Sequence, residues 1–211
     1  MITIQRFVFN PFGVNTFVLY DETKECVIID AACYFEDEKQ QLKSFIDKNQ
    51  LNPVKVLMTH GHVDHLLGNK FIASVYNVSI ETHIDEANLI SGAVSYGSIF
   101  GFDVETPPPA TKYLNEGDIV KFGNSELSVL HVPGHSPGSL AYFNKEQSFV
   151  FVGDVLFHGS IGRTDLPQGN HEQLIKSINE KLLTLEDKVI VYSGHGDSTT
   201  IDFERKNNPF L

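Results

Sequence analysis

Cysteine is nearly absent. Cys26 and Cys33 are the two in 211 residues, too few for a disulfide scaffold and without CxxC spacing, which leaves them as core filling. Basic residues are also scarce: Lys and Arg number 16 against 27 Asp and Glu, a formal charge of −11. A footprint for nucleic acid or an anionic membrane is therefore missing. No apolar run approaches the ~18 residues of a spanning helix. The opening Met1-Ile2-Thr3-Ile4-Gln5-Arg6 lacks the charged-then-apolar order of an export signal. A cytoplasmic protein with neither nucleic acid nor membrane as partner is expected. No repeat of fixed period and no low-complexity tract is visible. What remains is 41% hydrophobic and 20% charged, enough for a sizeable core at a length that suits a single domain, residues 1–211.

Hydrophobic patterning predicts strands at Ile4–Phe9, Thr16–Tyr20 and Cys26–Ile29, with turns at Asn10-Pro11-Phe12-Gly13 and Asp21-Glu22-Thr23-Lys24. Glu36–Asn49 reads as a helix burying Leu42, Phe45 and Ile46. Pro53 ends it, and Val54–Met58, apolar except for Lys55, reads as a strand of the kind covered on both faces. Helices are expected at His65–Tyr76 and Asp85–Ser91, then a long surface loop over 92–112 containing Pro107-Pro108-Pro109, suited to a substrate lid. Strands Ile119–Phe122, Leu127–Val132, Ser139–Phe143 and Phe149–Val152, helix Gln173–Leu183 and strand Val189–Tyr192 complete the pattern. The class is α/β (α+β), with β-rich mixed sheets flanked by helices.

The strongest chemical signal is His60-Gly61-His62-Val63-Asp64-His65, directly after the buried strand. In extended backbone, His60 and His62 face one side and can share a metal, while Asp64 and His65 diverge towards a second. Imidazole and carboxylate suit zinc, iron and manganese. Two metals need further ligands, and three strand ends offer them: His135 after Leu127–Val132, Asp154 after Phe149–Val152, and His195 after Val189–Tyr192. Neighbouring glycines allow close backbone approach. His83, His131, His158 and His171 lie outside this series and read as structural or exposed.

This series, His60-x-His62-x-Asp64-His65, His135, Asp154 and His195, resembles the motifs of the metallo-β-lactamase superfamily. Asp30, ending Val27-Ile28-Ile29, resembles its first motif, an acid that braces the metal loop. The resemblance implies a four-layer αββα sandwich with two mixed β-sheets. It also implies that His60, His62 and His135 hold one metal, Asp64, His65 and His195 a second, and Asp154 bridges them. The segments Gly153–Phe157, Gly162-Arg163-Thr164-Asp165 and Gly194-His195-Gly196 are most similar to short glyoxalase II (hydroxyacylglutathione hydrolase) proteins. Arg163 matches a substrate-binding cation of that group. The group's C-terminal helical domain is not expected, because the chain leaves few residues after His195.

The implied activity is hydrolysis of thioesters of the S-2-hydroxyacylglutathione (S-lactoylglutathione) type, an anionic small-molecule substrate, by hydroxide generated on two divalent metals, zinc first and iron or manganese next. Asp64 would orient the hydroxide. A thiol leaving group with a pKa near 8.5 departs without a general acid. A mononuclear iron persulfide dioxygenase, or a lactone or phosphoester hydrolase on the same residues, remains open from sequence.

Overall fold

The computed structural model describes all 211 residues. Strands β1 (Thr3–Phe9), β2 (Val14–Tyr20) and β3 (Glu25–Ile29) form an antiparallel meander. Helix α1 (Glu36–Lys48) then returns the chain to β4 (Asn52–Leu57), which lies parallel to β3. After α2 (Val63–Leu66) and α3 (Asn69–Tyr76), β5 (Ser79–Thr82) joins β4. Helix α4 (Ala87–Ile99) leads to the short β6 (Lys112–Tyr113), giving a mixed sheet ordered β1-β2-β3-β4-β5-β6.

The second half builds another mixed sheet. Strands β7 (Ile119–Phe122), β8 (Ser125–His131), β9 (Leu140–Asn144) and β10 (Phe149–Gly153) run antiparallel. A small hairpin, β11 (Leu156–Phe157) and β12 (Ser160–Ile161), precedes helix α5 (His171–Ser177), which continues as a wider turn over Ile178–Leu182. Strand β13 (Ile190–Ser193) enters parallel to β10, and β14 (Thr199–Thr200) leads into α6 (Ile201–Asn207). No helix is long and apolar enough to cross a membrane.

Strand alternation explains the layering. On β3, Val27 and Ile29 face the second sheet, while Cys26 and Ile28 face α1. On β10, Phe149 and Phe151 face the first sheet, and Val150 and Val152 join a separate cluster with Leu174 and Ile178 from the α5 region. Both faces of each sheet are thus apolar, with helices outside and a shared core between, which gives four αββα layers. Tyr142 is buried in that shared core, and its hydroxyl donates to Met58 O at 2.7 Å, fixing β9 to the chain just after β4.

Two helical expectations are revised. The helix read over His65–Tyr76 is two helices, because the chain bends at Gly68, whose N–H donates to Ala31 O at 2.8 Å. Residues 92–112, read as a surface loop, begin as helix: α4 runs through Gly92 and Gly97 to Ile99. Gly97 is a contact residue and not a breaker. A Cβ there would overlap Val104 and crowd Val63 at 3.3 Å, so glycine lets the chain after α4 fold Val104 back onto the helix, with α2 packed alongside. The strands β5, β6 and β14 and helix α6 carried too little periodicity to be read from sequence.

Candidate metal centre

The His60–His65 run leaves the end of β4 in a tight loop that becomes α2. His135 lies in the loop between β8 and β9, Asp154 immediately follows β10, and His195 follows β13. Strand ends from both sheets therefore deliver these side chains to one end of the sandwich. Donor atoms of His60, His62 and His135 lie within 4.8 Å of one another, and so do those of Asp64, His65 and His195. Asp154 stands between the two groups. Its Oδ1 is 3.4 Å from His65 Nε2, and its Oδ2 is 3.4 Å from His195 Nε2 and 3.8 Å from His135 Nε2.

Hydrogen bonds behind the rings set their tautomers. His135 Nδ1 donates to Arg163 O at 2.8 Å, and His195 Nδ1 donates to Phe12 O at 2.9 Å. His65 Nδ1 donates to Asp30 Oδ2 at 3.0 Å. His60 Nδ1 donates to Thr59 Oγ1 at 3.0 Å, and that hydroxyl donates onward to Asp30 Oδ2 at 2.7 Å. In each neutral ring the Nε2 lone pair is left for the cluster. His62 presents Nδ1 instead, 2.9 Å from His135 Nε2.

Asp30 is itself turned by a left-handed backbone conformation, φ 50°. It also accepts the Thr59 N–H at 2.7 Å. One carboxylate thus holds the residue before His60 and the far side of His65.

The two halves of the cluster differ electrostatically. Burial, reinforced by the surrounding imidazoles, holds His60 well below the ordinary histidine range. Burial and His135 bring His62 down to about 4, and burial lowers His135. Burial also opposes charge on His65, but Asp154 and Asp64 overcome it and raise His65 well above its usual value. Hydrogen bonds to the same two carboxylates lift His195 to about 9 against its burial. His65 and His195 in turn hold Asp154 well below the carboxylate range, although burial alone would raise it.

These residues fit divalent metal. His60 Nε2 and Asp154 Oδ1 are buried without any hydrogen-bond partner, a cost that coordination removes. Five imidazoles converging with two carboxylates are a donor set that zinc, iron and manganese accept. Gly194 supplies the room: a Cβ there would collide with Asp154 Oδ1 and lie 2.8 Å from His65 Cε1.

The remaining sequence-predicted residues are placed as follows. Arg163 lines the cleft above the cluster, a cavity of about 560 Å³. Its guanidinium makes a two-pronged pair with Asp165, at 2.7 and 2.8 Å. His83 and His131 stack on each other, ring centroids 4.3 Å apart, away from the cluster. Cys26 and Cys33 are free and buried, with burial pushing both thiols up to about 12.

Sequence reading missed several supports. Glu86 accepts the Gly61 and Gly138 N–H groups and the Ser136 hydroxyl. Asn10 donates to Asp64 O at 2.9 Å, and Asn15 donates to Ser193 O and Gly196 O at 2.9 Å each. The Asn10–Gly13 turn was legible as a turn, but nothing local linked it to ligand loops far along the chain.

Two sheets between helices, with histidines and aspartates gathered at one end, define a four-layer αββα protein with a divalent-metal centre at the edge of its sheets. The chain belongs to the metallo-β-lactamase superfamily, whose family model matches residues 9–195. It is 36% identical to the hydroxyacylglutathione hydrolase GloC of Haemophilus influenzae, over 95% of this chain and 93% of that protein. Among solved structures it is similar to the B3 metallo-β-lactamase BLEG-1, with a TM-score of 0.91 and 35% identity over 99% of both chains. It is also similar to TTHA1623 in a di-iron-bound form, with a TM-score of 0.88 and 33% identity over 98% of this chain and all of that one.

Proposed function

We propose that this protein is a thioesterase acting as a single-domain enzyme on two divalent metals. His60, His62 and His135 would hold one metal, Asp64, His65 and His195 the other, with Asp154 between them. The observation that carries this is Asp154, whose two oxygens reach towards both histidine groups. Zinc is proposed first; the di-iron form of a similar structure makes iron the next ion to test. Bound there, such ions ionise water near neutral pH and polarise an acyl carbonyl.

The chain's own residues do the rest. Asp30, through Thr59 and His65, holds two ligand rings in fixed tautomers. Asp64 lines the cleft and would accept a hydrogen bond from the attacking water, orienting it towards the carbonyl. Apolar residues line much of the cleft above the cluster. A thiol, with a pKa near 8.5, leaves as thiolate without a proton donor, so the site is complete without a general acid. The similarity to a hydroxyacylglutathione hydrolase supports thioesters over other esters. Two free buried thiols suit a cytoplasmic setting.

The test is hydrolysis of S-lactoylglutathione and of S-acetyl-N-acetylcysteamine by zinc-loaded and iron-loaded protein, with His60→Ala as control. A kcat/KM above ~10⁴ M⁻¹s⁻¹, the low end for ordinary enzymes, lost in His60→Ala, is expected for at least one thioester. No turnover of either ester under both metals would reject the assignment. The similarity to BLEG-1 favours one second reading, a β-lactam ring as substrate; a chromogenic cephalosporin in the same assay decides it.

A further inference from the structure

The wall above the metal ligands is apolar over a long stretch. Residues 87–102 contain no charged side chain in a chain that is 20% charged. Leu89 and Tyr96 of α4 and Phe100 just past its end follow one another at helical spacing on one stripe, with Ile99 beside it, and all four line the cleft. Phe12, from the β1–β2 turn, meets Phe100 edge-on, centroids 6.1 Å apart. Ile99 is 75% exposed, Phe12 45% and Phe100 44%. Scattered exposed apolar residues are ordinary. A contiguous stripe opening onto a floor of His62, His135, Asp154 and His195 is a binding wall with convergent polar groups at its base.

Charge points the same way. Arg163 is the one Lys or Arg lining the cleft, and Asp165 occupies one edge of its guanidinium through Nε and Nη2. Above the metal floor, an anionic carrier would find no other Lys or Arg along the wall.

We propose that the cleft is built for thioesters whose non-reacting part is an uncharged apolar chain, lying along α4 from Leu89 towards Ile99 under Phe12 and Phe100. That stretch of helix is ~15 Å long, room for a medium-length chain. Glutathione, with its free carboxylates and ammonium, is a poor match to the same wall. The proposal rests on the thioester chemistry above, and its test separates the two. The apolar chain could belong to the acyl group or to the thiol, and two substrate series distinguish these.

The experiment uses the full chain loaded with metal. Calorimetry measures binding of acetate, butyrate, hexanoate, octanoate and, as the glutathione probe, S-methylglutathione, whose capped sulfur cannot ligate the metals as a thiolate. Kinetics compare S-acyl-N-acetylcysteamines from acetyl to octanoyl with S-acetyl alkanethiols of matching length. Affinity in the carboxylate series is expected to climb roughly two- to fourfold per methylene, with S-methylglutathione binding no better than acetate. Whichever thioester series climbs in kcat/KM identifies the side that carries the chain. The double variant Ile99→Asp, Phe100→Ser alters exposed positions and should flatten both slopes while circular dichroism stays unchanged. Affinity independent of chain length, S-methylglutathione binding more tightly than octanoate, or slopes untouched in the double variant would each overturn the proposal. Rising carboxylate affinity with no thioester turned over would leave the apolar subsite standing and remove the thioesterase assignment instead.

Discussion

Glu86 receives the backbone N–H of Gly61 at 2.6 Å and that of Gly138 at 2.6 Å. A single buried carboxylate thereby clamps the loop carrying His60 and His62 to the loop carrying His135, and Ser136 Oγ donates to it at 2.8 Å. Burial raises its pKa even against these three donors. Glu86→Gln keeps the shape but turns an NH₂ group towards one of the N–H donors. An unsatisfied buried group costs about 1–3 kcal/mol. The expected result is a loss of that size in denaturant unfolding, accompanied by reduced metal content by elemental analysis. Unchanged metal content would show that the clamp has no bearing on ligand placement.

Gly194 is the point where β13 approaches Asp154. Gly194→Ala should push Asp154 and His65 aside, since the new methyl would occupy the space of Asp154 Oδ1. Displacement of about 1 Å at a reacting centre costs on the order of 10²-fold in rate. A drop of that scale in turnover, with metal bound per chain falling and the circular dichroism spectrum retained, is predicted.

Asp30 holds the His60 and His65 rings from behind, outside the two proposed ligand groups. Asp30→Ala removes the acceptor for the Thr59 N–H, the Thr59 hydroxyl and the His65 Nδ1–H. Outer partners of metal-bound histidine are worth roughly 10–100-fold in affinity. Chelator competition should register a loss within that range, and equal affinity in variant and parent would contradict the relay.

Asp21 is a test of stability far from the metal centre. Burial would raise its pKa, but donors from Thr23, Ser125 and Asn124 lower it from the ordinary 3.8 to about 2. Its contribution is thus fully present above pH 3.8 and is lost as pH falls through about 2. Because those donors tie the β2–β3 hairpin to the β7–β8 hairpin, Asp21→Asn should weaken the contact between the two sheets at neutral pH. The unfolding free energy from urea titration is expected to fall for the variant at pH 7, by about 1–2 kcal/mol. The two proteins should converge towards pH 2.

What was legible in the sequence was local. A continuous apolar run announced β10 and one broken only by Lys55 announced β4, because both faces of those strands are covered. The His60–His65 run displayed its ligand types openly, and His135, Asp154 and His195 each followed a readable strand. Tertiary structure alone decided which distant groups meet. Glu86 lies between two ligand loops, Phe12 O receives the His195 ring, and the Arg163 carbonyl receives His135 while its guanidinium turns to Asp165. The glycines of 92–112 looked like loop punctuation, yet Gly92 and Gly97 lie within α4, and the cleft gained an apolar helical wall where a surface loop was expected. The physical reason is one of range: hydrophobic period and ligand chemistry are properties of neighbours in sequence. A backbone carbonyl, a missing Cβ or a buried carboxylate acquires its role only when packing brings a remote segment within hydrogen-bond distance.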